Sequence, residues 1–224
     1  MKKQWCIGKI TAEFIWRMEE VLDVYERNYD PDRPVICFDE RPCQLIDDVM
    51  VPLPMKKGQV LRQDYHYKRN GTCCVMIALE PLTGKRLVAV KERKTKMDYA
   101  DFMKQIEIIY HQADKIILVQ DNLNTHNPSS FYEAFSSEAA FWLTQRFQMV
   151  YTPKKASWLN MAEIELSALS KQCLDRRLGT MKMLSREVSA WVKQRNRDKA
   201  KVSWQFTKDI AREKLGRYYD NIRI

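Results

Sequence analysis

Histidine is nearly missing from this chain, with three among 224 residues. None stands beside a cysteine at zinc-ligand spacing. The six cysteines, Cys6, Cys37, Cys43, Cys73, Cys74 and Cys173, contain no Cys-x-x-Cys pair. That pattern excludes the usual zinc modules and argues against zinc-dependent hydrolysis. No stretch approaches the ~20 consecutive apolar residues of a membrane span. The opening Met1-Lys2-Lys3-Gln4-Trp5 lacks the apolar core of a secretory signal. A reducing, cytoplasmic setting with no membrane association is the simplest expectation. There Cys37 and Cys74, each within an apolar run, behave as small hydrophobes. Internal repeats and low-complexity tracts are also absent, which leaves out solenoids and disordered low-complexity chains.

Apolar content is 45% and aromatic content 11%, enough for a sizeable core. The net charge of +9 is unevenly placed. Residues 1–170 hold 23 Lys and Arg against 23 Asp and Glu, whereas residues 171–224 hold 15 against 6. The whole excess therefore lies in the last quarter. Such a segment is either a solvated helical surface or the footprint of a polyanionic partner.

Hydrophobic periodicity gives an outline. Phe14, Ile15, Met18, Val21, Leu22 and Tyr25 predict a helix over 11–28, stopped by Asp30-Pro31-Asp32. A strand follows at 34–39, and 41–63 reads as an irregular excursion. Asn70-Gly71 reads as a turn. Residues 72–79 and 86–91 read as a hairpin joined by Glu80-Pro81-Leu82-Thr83-Gly84. Further on come a helix at 98–113, a strand at 115–120, a helix opened by Pro128 and carrying Phe131, Tyr132 and Phe135, and a strand at 147–151. Helices at about 158–177, 184–197 and 207–218 complete the outline. A meander followed by alternating helix and strand implies an α/β fold, a mixed sheet with helices on both faces.

Three carboxylates stand out in that outline. Asp39 ends the run Val35-Ile36-Cys37-Phe38, and Asp121 ends Ile116-Ile117-Leu118-Val119-Gln120. If the two strands are neighbours, their C-terminal aspartates meet, where ligand groups of such sheets gather. Glu163 opens a helical stretch after Trp158-Leu159-Asn160. Two strand-end aspartates and a helical glutamate suit a pair of divalent cations and phosphodiester chemistry. Each alone reads more simply as a solvated element end. The helix leaves one ambiguity. Leu159, Ala162, Leu166, Leu169 and Cys173 form its buried stripe, with Glu163 about 80° to one side and Glu165 about 80° to the other. Periodicity does not choose between them. Glu40 points away from Asp39, because successive strand side chains alternate. Trp158 and Trp204 read as core anchors.

Taken in order, several motifs resemble the catalytic domain of bacterial insertion-sequence transposases of the mariner-like superfamily. These are Cys37-Phe38-Asp39-Glu40, Arg62-Gln63-Asp64-Tyr65, Arg69-Asn70-Gly71-Thr72, Glu80-Pro81-Leu82-Thr83-Gly84, Asp121-Asn122-Leu123-Asn124-Thr125-His126, Thr152-Pro153-Lys154 and Ser157-Trp158-Leu159-Asn160-Met161-Ala162-Glu163. The likeness runs from about Trp5 to the last helix. It departs at Lys155, where many relatives have His, at His66, where they have Glu, and at Cys73-Cys74.

The resemblance implies a ribonuclease-H-like, five-stranded mixed sheet with additional C-terminal helices. It implies Asp39, Asp121 and Glu163 as catalytic residues holding two Mg²⁺ or Mn²⁺ ions, with the Trp-Leu-Asn-x-x-Glu spacing selecting Glu163. It further implies nicking of transposon ends and joining of the freed 3′-hydroxyl to target DNA at TA dinucleotides. Asn124, His126, Lys154 and Lys155 become candidate DNA contacts, although a solvated loop accounts equally for the two lysines. A homodimer on DNA follows, as does a helix-turn-helix half that is missing or separately encoded. The expected organisation is a linker helix in 1–33, a catalytic domain in 34–180 and a basic helical extension in 181–224. Two other readings keep the fold: a ribonuclease-H-like nuclease of another substrate, and an inactive DNA-binding transposase fragment.

Overall fold

A computed structural model describes residues 10–220. Residues 1–9, with Cys6 and the Trp5 end of the resemblance, and residues 221–224 lie outside that range.

Five strands form one mixed sheet in the order β3-β2-β1-β4-β5. They are β1 (Val35–Asp48), β2 (Tyr67–Glu80), β3 (Lys85–Lys91), β4 (Ile116–Gln120) and β5 (Phe147–Tyr151). β1 is antiparallel to β2 and parallel to β4. The helices are α1 (Ala12–Tyr25), α2 (Lys96–Ile109), α3 (Ser129–Ala134), α4 (Ser137–Arg146), α5 (Met161–Gln172), α6 (Met181–Arg197) and α7 (Lys208–Asp220). Alternation along the strands splits the core in two. On one face Cys37, Val75, Ile77 and Val119 pack against α1, α5 and α6; on the other Ile36, Phe38, Met76 and Leu118 pack against α2, α3 and α4. The expected α/β architecture is therefore present, and the stripe from Leu159 to Cys173 is buried throughout. Trp204 meets Tyr25 edge-on at 5.3 Å and Trp158 meets Phe206 at 5.6 Å, so both tryptophans anchor packing. Burial pushes the Cys37 and Cys74 thiols up to about 12, which suits their role as inert hydrophobes.

Several local expectations are corrected. β1 does not end at Asp39 but continues to Asp48, because residues 41–48 pair with 67–75. Half of these side chains are polar and all but Leu45 are part-exposed or exposed, in no alternating order, so no apolar alternation announces them. Asn70-Gly71 is not a turn. It lies inside β2, near the register shift between Gln44 and Ile46, and Gly71 takes φ +107° there. The glycine accommodates an irregularity in the ladder rather than a hairpin. The helix opened by Pro128 is two helices, because Ser136 caps α4 by accepting the Ala139 N–H. The helix expected from 158 begins with a separate 3-10 turn, Ser157–Leu159, before Asn160 caps α5.

Glu80-Pro81-Leu82-Thr83-Gly84 does join β2 to β3, and it also anchors the C-terminal segment. Glu80 C=O accepts the Gly84 N–H at 2.9 Å, and Pro81 C=O accepts the Val202 N–H at 3.2 Å. Gly84 has φ +75°, and a Cβ there would stand 2.8 Å from the Lys199 carbonyl carbon. Gly84→Ala should cost about 1–3 kcal/mol. Urea denaturation reads that cost directly; an unchanged midpoint would show that the segment at 199–202 shifts freely.

Candidate active site

The parallel pairing of β1 with β4 sets the site. Val35 faces Ile117, Ile36 faces Leu118 and Cys37 faces Val119. The same register, continued two residues, brings Asp39, inside β1 where its pairing with β4 stops, beside Asp121, which follows the last residue of β4. The third carboxylate arrives through Asn160. Its buried side-chain amide donates to Phe38 C=O at 2.7 Å, while its Oδ1 accepts the Ala162 N–H at 3.1 Å. One residue thus ties the backbone preceding Asp39 to the first turn of α5, which carries Glu163. Tyr25 reinforces the junction, donating to Leu159 C=O at 2.9 Å.

Burial, aided by the charges of Glu163, Glu40 and Asp121, raises the Asp39 carboxyl to about 7, although its Oδ1 accepts the Glu40 N–H at 2.8 Å. Asp39 therefore feels both other members of the trio. Among the described residues, however, no three His, Cys, Asp or Glu side chains stand close enough to hold a metal ion. The trio shares one electrostatic neighbourhood without forming a closed coordination sphere. The donor set is oxygen only, as Mg²⁺ and Mn²⁺ prefer.

Glu165 is occupied elsewhere. It is fully buried, and each of its oxygens accepts from both Arg86 and Arg195 at 2.6–2.9 Å. Glu163 makes no such pair and stays part-exposed beside Glu40, Arg41 and Lys171 in a shallow cleft of about 300 Å³. Tertiary partners thus separate two glutamates that helical periodicity treats alike.

His126 sits at 2% exposure, stacked on Tyr99 at 5.0 Å and edge-on to Phe38 at 5.2 Å. Its Nδ1 lies 2.5 Å from Asp121 Oδ1 and its Nε2 3.0 Å from Glu40 Oε2. The Glu40 contact is poorly aligned, so that oxygen has no directed hydrogen bond. Burial alone would lower the imidazole, but the two carboxylates raise it to about 9. Burial likewise would raise Asp121, yet the His126 hydrogen bond and charge hold it below the usual carboxylate value. Enclosed in this way, His126 offers no open ring face to a phosphate and works as a brace for Asp121. Asn124, Lys154 and Lys155 are exposed.

Three contributors escaped sequence reasoning. Glu40 points away from Asp39 yet reaches the site through His126. Gln120, fully buried, accepts from Tyr99 Oη at 2.9 Å and donates to His126 C=O at 3.0 Å. Tyr151 Oη donates to the same carbonyl at 2.9 Å. Only the position of Gln120, beside a strand-end aspartate, gave a signal.

A pH dependence follows for the metal-free chain. Asp39 binds its proton more tightly folded than unfolded, so folding stability falls as pH rises from about 4 to about 7. The raised His126 contributes stability that is complete below about 6.5 and lost as pH rises toward 9. Melting temperature in EDTA should drop from about pH 5 to about pH 8. Asp39→Asn should flatten the lower part of that decline and leave the upper part. Equal slopes for the two proteins would contradict the raised Asp39.

Comparison with known proteins supplies relatives at two levels. Residues 34–185 match the model of the DDE superfamily endonuclease family. Among curated proteins none matches. Among solved structures, the Mos1 transposase paired-end complex with left transposon end is similar at TM-score 0.56 and 11% identity, covering 86% of this chain and 58% of that one. The Mos1 strand transfer complex is similar at TM-score 0.58 and 11% identity, covering 100% of this chain and 65% of that one. The Mos1 mariner paired-end complex with Mn is similar at 0.55 and 12%, again covering 100% and 65%. At such identity the likeness is one of fold, and this chain spans about three fifths of those chains' length.

Proposed function

The chain belongs to the DDE superfamily endonuclease family, and we propose that it is the catalytic part of a DNA transposase, with Asp39, Asp121 and Glu163 as its catalytic carboxylates. One observation carries the reading: the parallel register of β1 and β4, continued past Cys37 and Val119, leads to Asp39 within β1 and to Asp121 just after β4, and Asn160 fastens the helix of Glu163 to that place. Engagement of Glu165 by two arginines supports Glu163 as the third member. The Mos1 complexes crystallised with transposon ends, with Mn and with Mg support DNA as substrate and divalent cations as cofactors.

Two Mg²⁺ or Mn²⁺ ions would suit the oxygen donors in kind and would offset the neighbouring carboxylate charges that add to burial in raising Asp39. Bound there, they would supply Lewis acidity toward an attacking oxygen and a phosphate. The protein's own contribution is placement. Asn160 sets the spacing between Asp39 and Glu163. His126, pinned between Glu40 and Asp121, keeps Asp121 ionised and oriented while Tyr99 and Phe38 exclude water behind it. Exposed Asn124, Lys154 and Lys155 lie on the loops around the carboxylates, where DNA phosphates approach. The excess cations beyond residue 170 add salt-dependent affinity with little sequence content.

In this reading residues 34–180 are the catalytic unit, α1 is the linker helix and residues 181–224 are a basic extension packed on that unit. Strand transfer at TA dinucleotides, a homodimer on DNA, a separate helix-turn-helix half and a bacterial cytoplasmic setting complete the proposal. No described helix is long and apolar enough to cross a membrane. The test is nicking of supercoiled plasmid by the purified chain. Mg²⁺-dependent conversion to open circles supports the reading. Preferential cutting of RNA–DNA hybrids would move it to a nuclease of other substrate, and metal-independent binding with no turnover to an inactive fragment.

A further inference from the structure

A cleft of about 290 Å³ opens between α1 and the loop after β5, and its wall includes Asn122, the neighbour of Asp121. Three of its lining side chains are cationic, Arg17, Lys154 and Lys155, against one carboxylate, Glu13. The two lysines are exposed, and among the described residues neither has a carboxylate within ion-pair distance. Arg17 reaches Glu20 only at 3.6 Å. Its guanidinium lies over the Trp16 ring at 4.2 Å, a contact that restricts it before any ligand arrives. Lys155 carries a second mark. It takes φ +62° in the turn closed by the Ala156 N–H donating to Pro153 C=O. That left-handed conformation favours glycine or asparagine, so the turn itself gives no reason for a lysine.

A concave site with uncompensated positive charge, beside the proposed catalytic edge, fits a phosphodiester. We propose that Arg17 and Lys155 seat a backbone phosphate of the DNA strand entering the site, which makes α1 part of the DNA-binding surface rather than only a linker. The seat rests on the DNA reading given above. Its role is positioning: a phosphate held in the cleft that Asn122 lines sets which phosphodiester reaches the carboxylates.

The test is anisotropy of a labelled duplex, and of the same strand alone, titrated with protein in EDTA over a range of salt. Wild type is compared with Arg17→Gln, Lys155→Gly and the double variant. Each single change should reduce the slope of log affinity against log salt by about 1, and the double change by about 2. Lys155→Gly should melt no lower than wild type, because glycine suits that backbone, so its lost affinity would not reflect unfolding. A double variant with wild-type affinity and slope overturns the seat. If Lys193→Gln in α6 then takes the loss, the phosphate anchor is the C-terminal extension and the transposase reading survives. No DNA binding by wild type overturns both. A loss confined to the single strand supports a seat for an unpaired strand, and a loss on both supports a seat for duplex backbone.

Discussion

Asp121→Asn should abolish Mg²⁺-dependent nicking of supercoiled DNA, with a fall on the order of 10³-fold or more, equivalent to at least about 4 kcal/mol of transition-state stabilisation. The substitution is nearly isosteric. An amide oxygen still faces His126, so the 2.5 Å contact between the two side chains can persist as a weaker neutral bond. What disappears is one of the negative charges that a divalent cation needs, together with the charge that helps hold the imidazolium. Glu163→Gln should behave alike and is the cleaner probe, because Glu163 has no ion pair among the described residues to lose. Both variants should keep the wild-type circular dichroism spectrum. Mg²⁺ is expected to raise the melting temperature of wild type at neutral pH, and both variants should lack that rise, which separates a metal-binding defect from a folding one. Full activity in either variant would remove that residue from the site.

The two aspartates were legible because each closes an apolar run, but the run marks a strand end only for Asp121, since β1 continues past Asp39 to Asp48 through residues with no apolar alternation. Their meeting was legible only conditionally, since it depends on β1 lying beside β4, a pairing across about 80 residues that local pattern does not encode. Glu163 and Glu165 lie symmetrically about the buried stripe of α5, so helical period has no information that separates them. The distinction comes from Arg86, on a strand, and Arg195, on another helix. The same limit explains Asn70-Gly71. Turn chemistry is local, but whether a glycine with positive φ reverses the chain or relieves a ladder depends on the partner strand. By contrast, the cap at Ser136 was a readable signal, and a search for N-caps would have divided α3 from α4. Glu40 was assigned correctly to the face opposite Asp39. Its route back, through a buried histidine of a distant loop, needed the fold.

Glu165→Ala should destabilise the protein by about 3–5 kcal/mol, a large share of the roughly 5–15 kcal/mol that holds a domain folded. Glu165 and Arg86 both have side chains with no exposure. The carboxylate accepts a bidentate pair from Arg86 and another from Arg195, and Arg86 also donates to the Gly84 and Ala200 carbonyls. One cluster therefore joins β3, α5, α6 and the segment after α6. Removing its only anion leaves two guanidiniums facing each other, one wholly out of water, which costs far more than the intact cluster contributes. Arg86→Ala should cost nearly as much, because it strands the buried carboxylate and two carbonyls. Arg195→Ala should cost less, since that side chain is 22% exposed and water can replace part of what it supplies. Burial pushes the Glu165 carboxyl up, but the two arginines outweigh it and hold the carboxyl below its usual value. The stabilisation is thus complete above about 4.5 and is lost as pH falls below that, whereas the Asp39 contribution moves the opposite way. Urea denaturation of the three variants at neutral pH checks the ranking, and a double Arg86→Met, Glu165→Leu variant checks the cause. If uncompensated charge is the damage, removing both charges should recover stability relative to either single change. A double variant as unstable as the two single costs added together would locate the loss in packing instead.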